Sequence, residues 1–291
     1  MKIESFKRAI DYIERFFHLK NEYAYTLNDL REIFDENRED WKIAAYRNSY
    51  DFINFLQESR ILYVNGLDGY DNSEKKIWTK EDAVNYDIAL TIRKGGYLSN
   101  YTAMQIHNLT LQIPKTIYVS IDKYEVFQTK GDIILEQEAV DSAFSNKQRM
   151  STDVFVSRKD KIRYTFLHKK HNSIKVGIIN RGRFPLTDLE RTLIDITVRP
   201  AYSGGVFQVL EAYQRAAGKI SLPRLNDYLN KLDYIYPYHQ LVGFYLEKSG
   251  YQKSELKFFL DQVSNINFYL TYGLTTKKLD KSWKVYYPIG F

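Results

Sequence analysis

The sequence predicts an α+β protein, a winged helix-turn-helix over residues 1–85 followed by a larger mixed α+β domain over residues 86–291. Three observations carry this reading. The first sixty residues hold three stretches of helical apolar spacing, two alternating segments with turn residues between them come next, and the remainder interleaves alternating runs with helical ones.

Phe6, Ile10, Ile13 and Phe17 recur at helical spacing and predict a first helix over residues 3–17. In YTLNDLREIF, Thr26 can cap a second helix and Asp29 can answer it three residues on, as in a capping box, with Leu30, Ile33 and Phe34 inward. A third helix is expected from Trp41 to Ser59, with Ile43, Tyr46, Tyr50 and Ile53 on one side. RILYVNGLDG then alternates and KKIWTK returns, and the Gly, Asp and Asn between them suit a hairpin.

Three helices and a hairpin make the order of a winged helix-turn-helix, whose third helix enters the major groove while the hairpin reaches along the backbone. Lys42, Arg47 and Asn48 on that helix, and Lys75 and Lys76 on the hairpin, are the DNA-facing candidates. The acidic stretch DENRED lies just ahead of the third helix, where acids favour the helix dipole but repel phosphate. A domain used for protein contacts is therefore the alternative.

In the second domain GGYLSNYTAMQIHNL reads as a turn and a helix, and IPKTIYVSI as a strand launched from Pro114. YEVFQT, TDVFVSR, RYTFLH and IKVGIIN are further strands. Helices are expected near 134–145, 187–198, 205–217, 221–231 and 237–249, with FYLTYG and WKVYYP strand-like at the end.

Composition narrows the function. The chain has no Cys, which removes disulfides, thiolate catalysis and Cys-ligated zinc together. Acids interrupt the apolar residues of MKIESFKRAIDYIERFF, unlike the core of a signal peptide. No apolar run approaches the roughly 20 residues that cross a bilayer, so a cytoplasmic location is expected. The 25 Tyr and 17 Phe read mainly as core and interface material. Charge is uneven. Residues 1–80 and 81–160 each carry a net −2, whereas residues 161–230 carry +7 and residues 231–291 carry +3. A polyanion would feel its long-range pull from the second half, so Lys169, Lys170, Lys175, Arg181 and Arg183 are expected to contact or steer phosphate.

Signals for catalysis are weak. His168 and His171 flank two lysines, which disfavour a bound cation, and the pairs Gly95-Gly96 and Gly204-Gly205 lack the spacing of phosphate or dinucleotide loops. No catalytic residue, metal site or cofactor is expected. A metal-dependent nuclease built from scattered carboxylates is the enzyme alternative, and an RNA- or protein-binding regulator is the alternative among binding modules.

One stretch, TDLERTLIDITVRPAYSGG, holds an ordered pattern of charge. If Thr187 caps a helix, Asp188, Arg191, Asp195 and Arg199 stack on one face with alternating sign, while Leu189, Leu193 and Ile196 form an apolar stripe. The ladder neutralises itself, which suits scaffolding rather than phosphate attraction, and each exposed pair would contribute about 0.3 to 0.5 kcal/mol.

GYLSNYTAMQIHNLTLQIPKTIYVS, PLTDLERTLIDITVRPAYSGGVFQVLEAY and HQLVGFYLEKSGY, in that order, resemble the C-terminal domain of AbiEi family antitoxins. The likeness covers most of residues 90–291. Its most specific part is the cluster of Glu190, Arg191, Thr192, Asp195, Arg199, Pro200 and Tyr202 to Gly205. The resemblance implies a non-catalytic transcriptional regulator of a type IV toxin–antitoxin system used in phage defence. Its N-terminal winged helix-turn-helix would bind inverted repeats in the operon's own promoter, on double-stranded DNA. Its C-terminal domain would oppose a nucleotidyltransferase-like toxin without a stable complex.

Overall fold

Local signals set the first elements. The Thr26 hydroxyl accepts from the Asp29 amide and the Asp29 carboxylate accepts from the Thr26 amide, so the expected capping box starts the second long helix. The computed structural model describes residues 4–124, 135–171 and 175–291. The strand expected at YEVFQT falls almost wholly outside them.

Along the chain the elements are α1 (Glu4–Arg8), α2 (Ile10–Leu19), β1 (Ala24–Tyr25), α3 (Leu27–Asn37), α4 (Ser49–Glu58), β2 (Tyr63–Gly69), β3 (Glu74–Thr79) and α5 (Asn85–Ile92). Then come β4 (Tyr97–Leu98), α6 (Asn100–Ile106), β5 (Thr116–Tyr124), α7 (Gln137–Ser145), β6 (Val154–Ser157), β7 (Arg163–His171), β8 (Ile178–Arg181) and β9 (Phe184–Thr187). The rest is α8 (Leu189–Val198), α9 (Val206–Ala216), α10 (Leu222–Leu232), α11 (Tyr238–Lys248), α12 (Lys257–Leu260), β10 (Phe268–Tyr269), β11 (Lys277–Asp280) and β12 (Val285–Pro288). The fold is mixed α+β, and among the described residues no helix is long and apolar enough to cross a membrane.

The chain divides into two units, Met1–Gly95 with Thr152–Thr165, and Gly96–Ser151 with Phe166–Phe291. The division expected at residue 85 thus moves to residue 95. Ile88, Ala89 and Ile92 of α5 are buried, and Thr91 of that helix hydrogen-bonds the Ala24 carbonyl in the first unit.

In the first unit β1 pairs with β3, β3 with β2, β2 with β6 and β6 with β7, all antiparallel. Its core joins Phe6, Ile13 and Phe17 to Leu30, Phe34, Trp41, Phe52, Phe55 and Trp78, with the Phe6 and Phe55 rings stacked 5.2 Å apart. The helix expected over 41–59 is half that length. Lys42 sits in the left-handed region at φ 51°, which a continuing helix does not allow, and Asn48 starts α4 afresh by accepting from the Asp51 amide. Trp41 and Ile43 are buried as anchors of the intervening turns, whereas Tyr46 and Tyr50, expected on one side with Ile43 and Ile53, are 74% and 60% exposed.

In the second unit the strand order is β7-β5-β4-β9-β8, with β4 and β9 parallel, and a separate three-stranded sheet runs β10-β12-β11. One extensive core gathers α6 and α8 to α11, and every residue of α8 from Glu190 to Thr197 is buried. After α8, Pro200 begins a single 3-10 turn and Gly204 and Gly205, at φ 80° and 89°, reverse the chain into α9. A Cβ on Gly204 would sit 2.9 Å from the Tyr101 ring, so glycine is required there by space as well as by conformation.

Candidate functional site

The exposed face of α4 is the candidate surface of the first unit. The helix SYDFINFLQE contains no Lys or Arg. Burial of Phe52, Ile53, Phe55 and Leu56 turns Tyr50, Asn54 and Glu58, each four residues from the next, to the outside. Arg31 of α3 donates to the Tyr50 hydroxyl at 2.7 Å and lies over its ring, so that tyrosine is held in place.

Of the residues expected to face DNA, Asn48 is exposed but its side-chain oxygen is engaged as the α4 cap, and Lys42 is exposed on the turn before it. Arg47 corrects the expectation. It is only 4% exposed, its guanidinium lies over the Phe6 and Tyr46 rings, and it pairs with Asp51 at 3.6 Å. The reason is the shortened helix, which puts Arg47 on the buried turn ahead of the cap. Lys75 and Lys76 occupy neighbouring positions on β3 and so point to opposite faces. Lys76 is exposed, but Lys75 is half-buried over the Phe155 ring, where burial lowers its pKa. Sequence spacing does not mark Tyr50 and Asn54, because a helix begun at Trp41 puts both on the wrong face.

In the second unit the basic residues separate into two groups. Lys169 is not a surface cation: its ammonium donates to the Asp195 carboxylate at 2.6 Å and its side chain is largely buried. Lys175, Arg181 and Arg183 are exposed, with Arg181 donating to the Ile106 carbonyl and Arg183 over the Phe184 ring. Arg181 and Arg183 flank Gly182 at the turn between β8 and β9. The Lys170 side chain lies outside the described residues.

The charged ladder is a buried network. Asp188, rather than Thr187, caps α8 by accepting from the Arg191 amide, and its other oxygen accepts from the Tyr228 hydroxyl. Arg191 is fully buried and spends its guanidinium on Asp195 at 3.0 Å, the Val176 carbonyl at 2.6 Å and the Tyr97 hydroxyl at 3.2 Å. Tyr97 in turn donates to Asp122 at 2.6 Å. Arg199 follows the helix end and is exposed, so the expected four-rung ladder on one face reduces to one buried pair with Lys169 added.

Burial raises the Asp195 pKa, but Arg191 and Lys169 outweigh it and hold the carboxyl below its ordinary range. Each oxygen of this carboxylate accepts from a different cation, Arg191 on one and Lys169 on the other, so the group ties α8 to β7.

A cavity of about 130 Å³ is lined by Leu229, Asn230, Asp233, Tyr234, Tyr236, Tyr238 and His239. This is below the roughly 300 to 1,000 Å³ of ligand pockets. Burial pushes the His239 imidazole down to about 4, from an ordinary value of 6.5. Between those values the unfolded chain takes up the proton and the folded one does not, so this contribution is present above pH 6.5 and lost as pH falls toward 4. His239→Gln is expected to flatten the fall of the thermal midpoint over that window, and profiles of equal slope for both proteins would refute this assignment. Among the described residues no group of three or more His, Asp or Glu is placed to hold a metal ion.

No family model and no curated protein matches this sequence. Among solved structures, that of the Rv2827c protein from Mycobacterium tuberculosis is similar in fold, with a TM-score of 0.59 and 12% sequence identity over 97% of this chain and 91% of that one. At that identity the likeness concerns the fold alone.

Proposed function

We propose that this chain is a DNA-binding antitoxin and transcriptional autorepressor of a type IV toxin–antitoxin operon, acting in the cytoplasm and without catalysis. The observation that carries the reading is the order of the first unit. Its helices α1 to α4 are followed by the β2–β3 hairpin, and the short β1, between α2 and α3, pairs with β3. That order supports a winged helix-turn-helix reading, in which α4 is the helix that would enter the major groove and the hairpin the wing. The resemblance of residues 90–291 to AbiEi antitoxins supports the regulatory role and a functional pairing with a nucleotidyltransferase-like toxin.

On this reading Lys42, Lys76 and the exposed Lys175, Arg181 and Arg183 supply phosphate contacts or steering, while Arg47 and Lys169 support the fold. The test is retardation of the DNA upstream of the chain's own operon, using the full-length protein and unrelated duplex as competitor. Specific retention is expected, with log affinity falling linearly against log salt. Lys175→Ala, Arg181→Ala and Arg183→Ala together should flatten that slope by about 0.9 for each phosphate that these side chains neutralise. An unchanged slope would confine the phosphate contacts to the first unit, and no preference for the upstream DNA would remove the autorepressor reading.

A further inference from the structure

We infer that Asn54 reads an adenine in the major groove, with Tyr50 packed beside it, so that the centre of each half-site is an A·T pair. The inference rests on the winged-helix reading and names what that site recognises.

The helix α4 lacks the usual reader of guanine, which is Arg or Lys reaching the O6 and N7 of that base. Neither occurs in SYDFINFLQE, and the arginine just before it, Arg47, is buried beneath Tyr46. The helix therefore has no means of making the commonest guanine contact.

What it does present is an amide. Asn54 is exposed, lies in the middle of α4, and its side chain has no partner among the described residues. A free carboxamide is the group that pairs with adenine in two bonds, its oxygen accepting from N6 and its nitrogen donating to N7. Asn48 does not compete for this role, because its oxygen is committed to the Asp51 amide.

Tyr50 lies one turn toward the N-terminus on the same face, with its hydroxyl fixed by Arg31 at 2.7 Å. A ring held in that way offers apolar surface at little further entropic cost, which suits the methyl group that marks thymine in the major groove. Glu58, one turn beyond Asn54, repels the backbone but can accept from cytosine N4, so its presence gives no reason to expect guanine at the central position.

The experiment selects duplexes from a randomised pool with the full-length protein. It then compares the selected duplex with one carrying 7-deazaadenine, which lacks the N7 acceptor, at each adenine in turn. Wild type is expected to lose about tenfold in affinity at one adenine per half-site. Asn54→Ala should bind the normal and the modified duplex alike, and Asn54→Gln, which keeps the amide, should retain part of the preference. Asn54 is exposed on a helix and alanine is a good helix former, so the variant keeps its fold, which circular dichroism checks. If Asn54→Ala discriminates as strongly as wild type, or the selected site contains no adenine, the assignment falls while DNA binding stands. If wild type shows no preference among duplexes, the winged-helix reading itself falls.

Discussion

Asp195→Ala is expected to cost the second unit about 3 to 5 kcal/mol, because it leaves the buried Arg191 and largely buried Lys169 without their carboxylate. Arg191 has no exposed surface through which to recover solvation, and its remaining partners, the Val176 carbonyl and the Tyr97 hydroxyl, are neutral. The measurement is urea unfolding of the full chain, with hydrogen exchange at the α8 amides to localise the effect. A change under about 1 kcal/mol would show that the network is solvated in a way its burial denies. Replacing Lys169, Arg191 and Asp195 together by Met, Met and Leu should restore most of the stability, since similar-sized apolar groups often substitute for a buried ion cluster at little net cost. The sign with pH follows from the depressed Asp195 pKa. Its contribution is complete above the unfolded value of about 3.9 and is lost as pH falls through the folded one. Asp195→Asn should therefore show a shallower acid transition than wild type.

The second large effect is a close fit between α11 and Trp283. The indole is fully buried, donates its N–H to Glu247, and crosses Gly243 so closely that a Cβ there would lie 2.1 Å from the ring. Trp283→Ala should cost about 3 to 5 kcal/mol through the cavity it leaves. Gly243→Ala should also destabilise, by about 1 to 3 kcal/mol, even though alanine is the better helix former by about 1 kcal/mol. The informative variant is the double one. With Trp283 already reduced to alanine the obstruction is gone, so adding Gly243→Ala should become stabilising. Thermal or urea denaturation of the four proteins gives the cycle, and strict additivity would show that the glycine is not there for the ring.

Signals that act over three or four residues are legible in the sequence. Thr26 and Asp29 mark a helix start, the turn residues after Leu67 mark the β2–β3 hairpin, and the apolar spacing of Leu189, Leu193 and Ile196 marks α8. What is not legible has physical causes. Trp41 and Ile43 carry helical spacing but serve as anchors of a turn, because one left-handed residue, Lys42, ends the helical path. The spacing of Arg191 and Asp195 shows that they pair, yet their burial depends on β4, β7 and Tyr97, which are distant in sequence. The same holds for Lys169, where a run of basic residues gives no sign that one of them faces a carboxylate. On α4 the candidate Asn54 is hidden by a helix start placed eight residues too early.

During synthesis the first unit is completed late, by Thr152–Thr165, a segment that begins some 57 residues after Gly95. β6 supplies the antiparallel neighbour of β2, Arg158 bridges Asp68 and Glu74, and Tyr164 donates to Asn85. At about 5 to 20 residues per second, the nascent chain waits several seconds with the outer edge of its hairpin unpaired. An open strand edge is a template for other chains, so that interval favours mispairing until β6 is made. Nascent chains therefore complete the first unit late, and a message truncated before residue 165 would yield a product without its closing strands rather than a small free-standing domain.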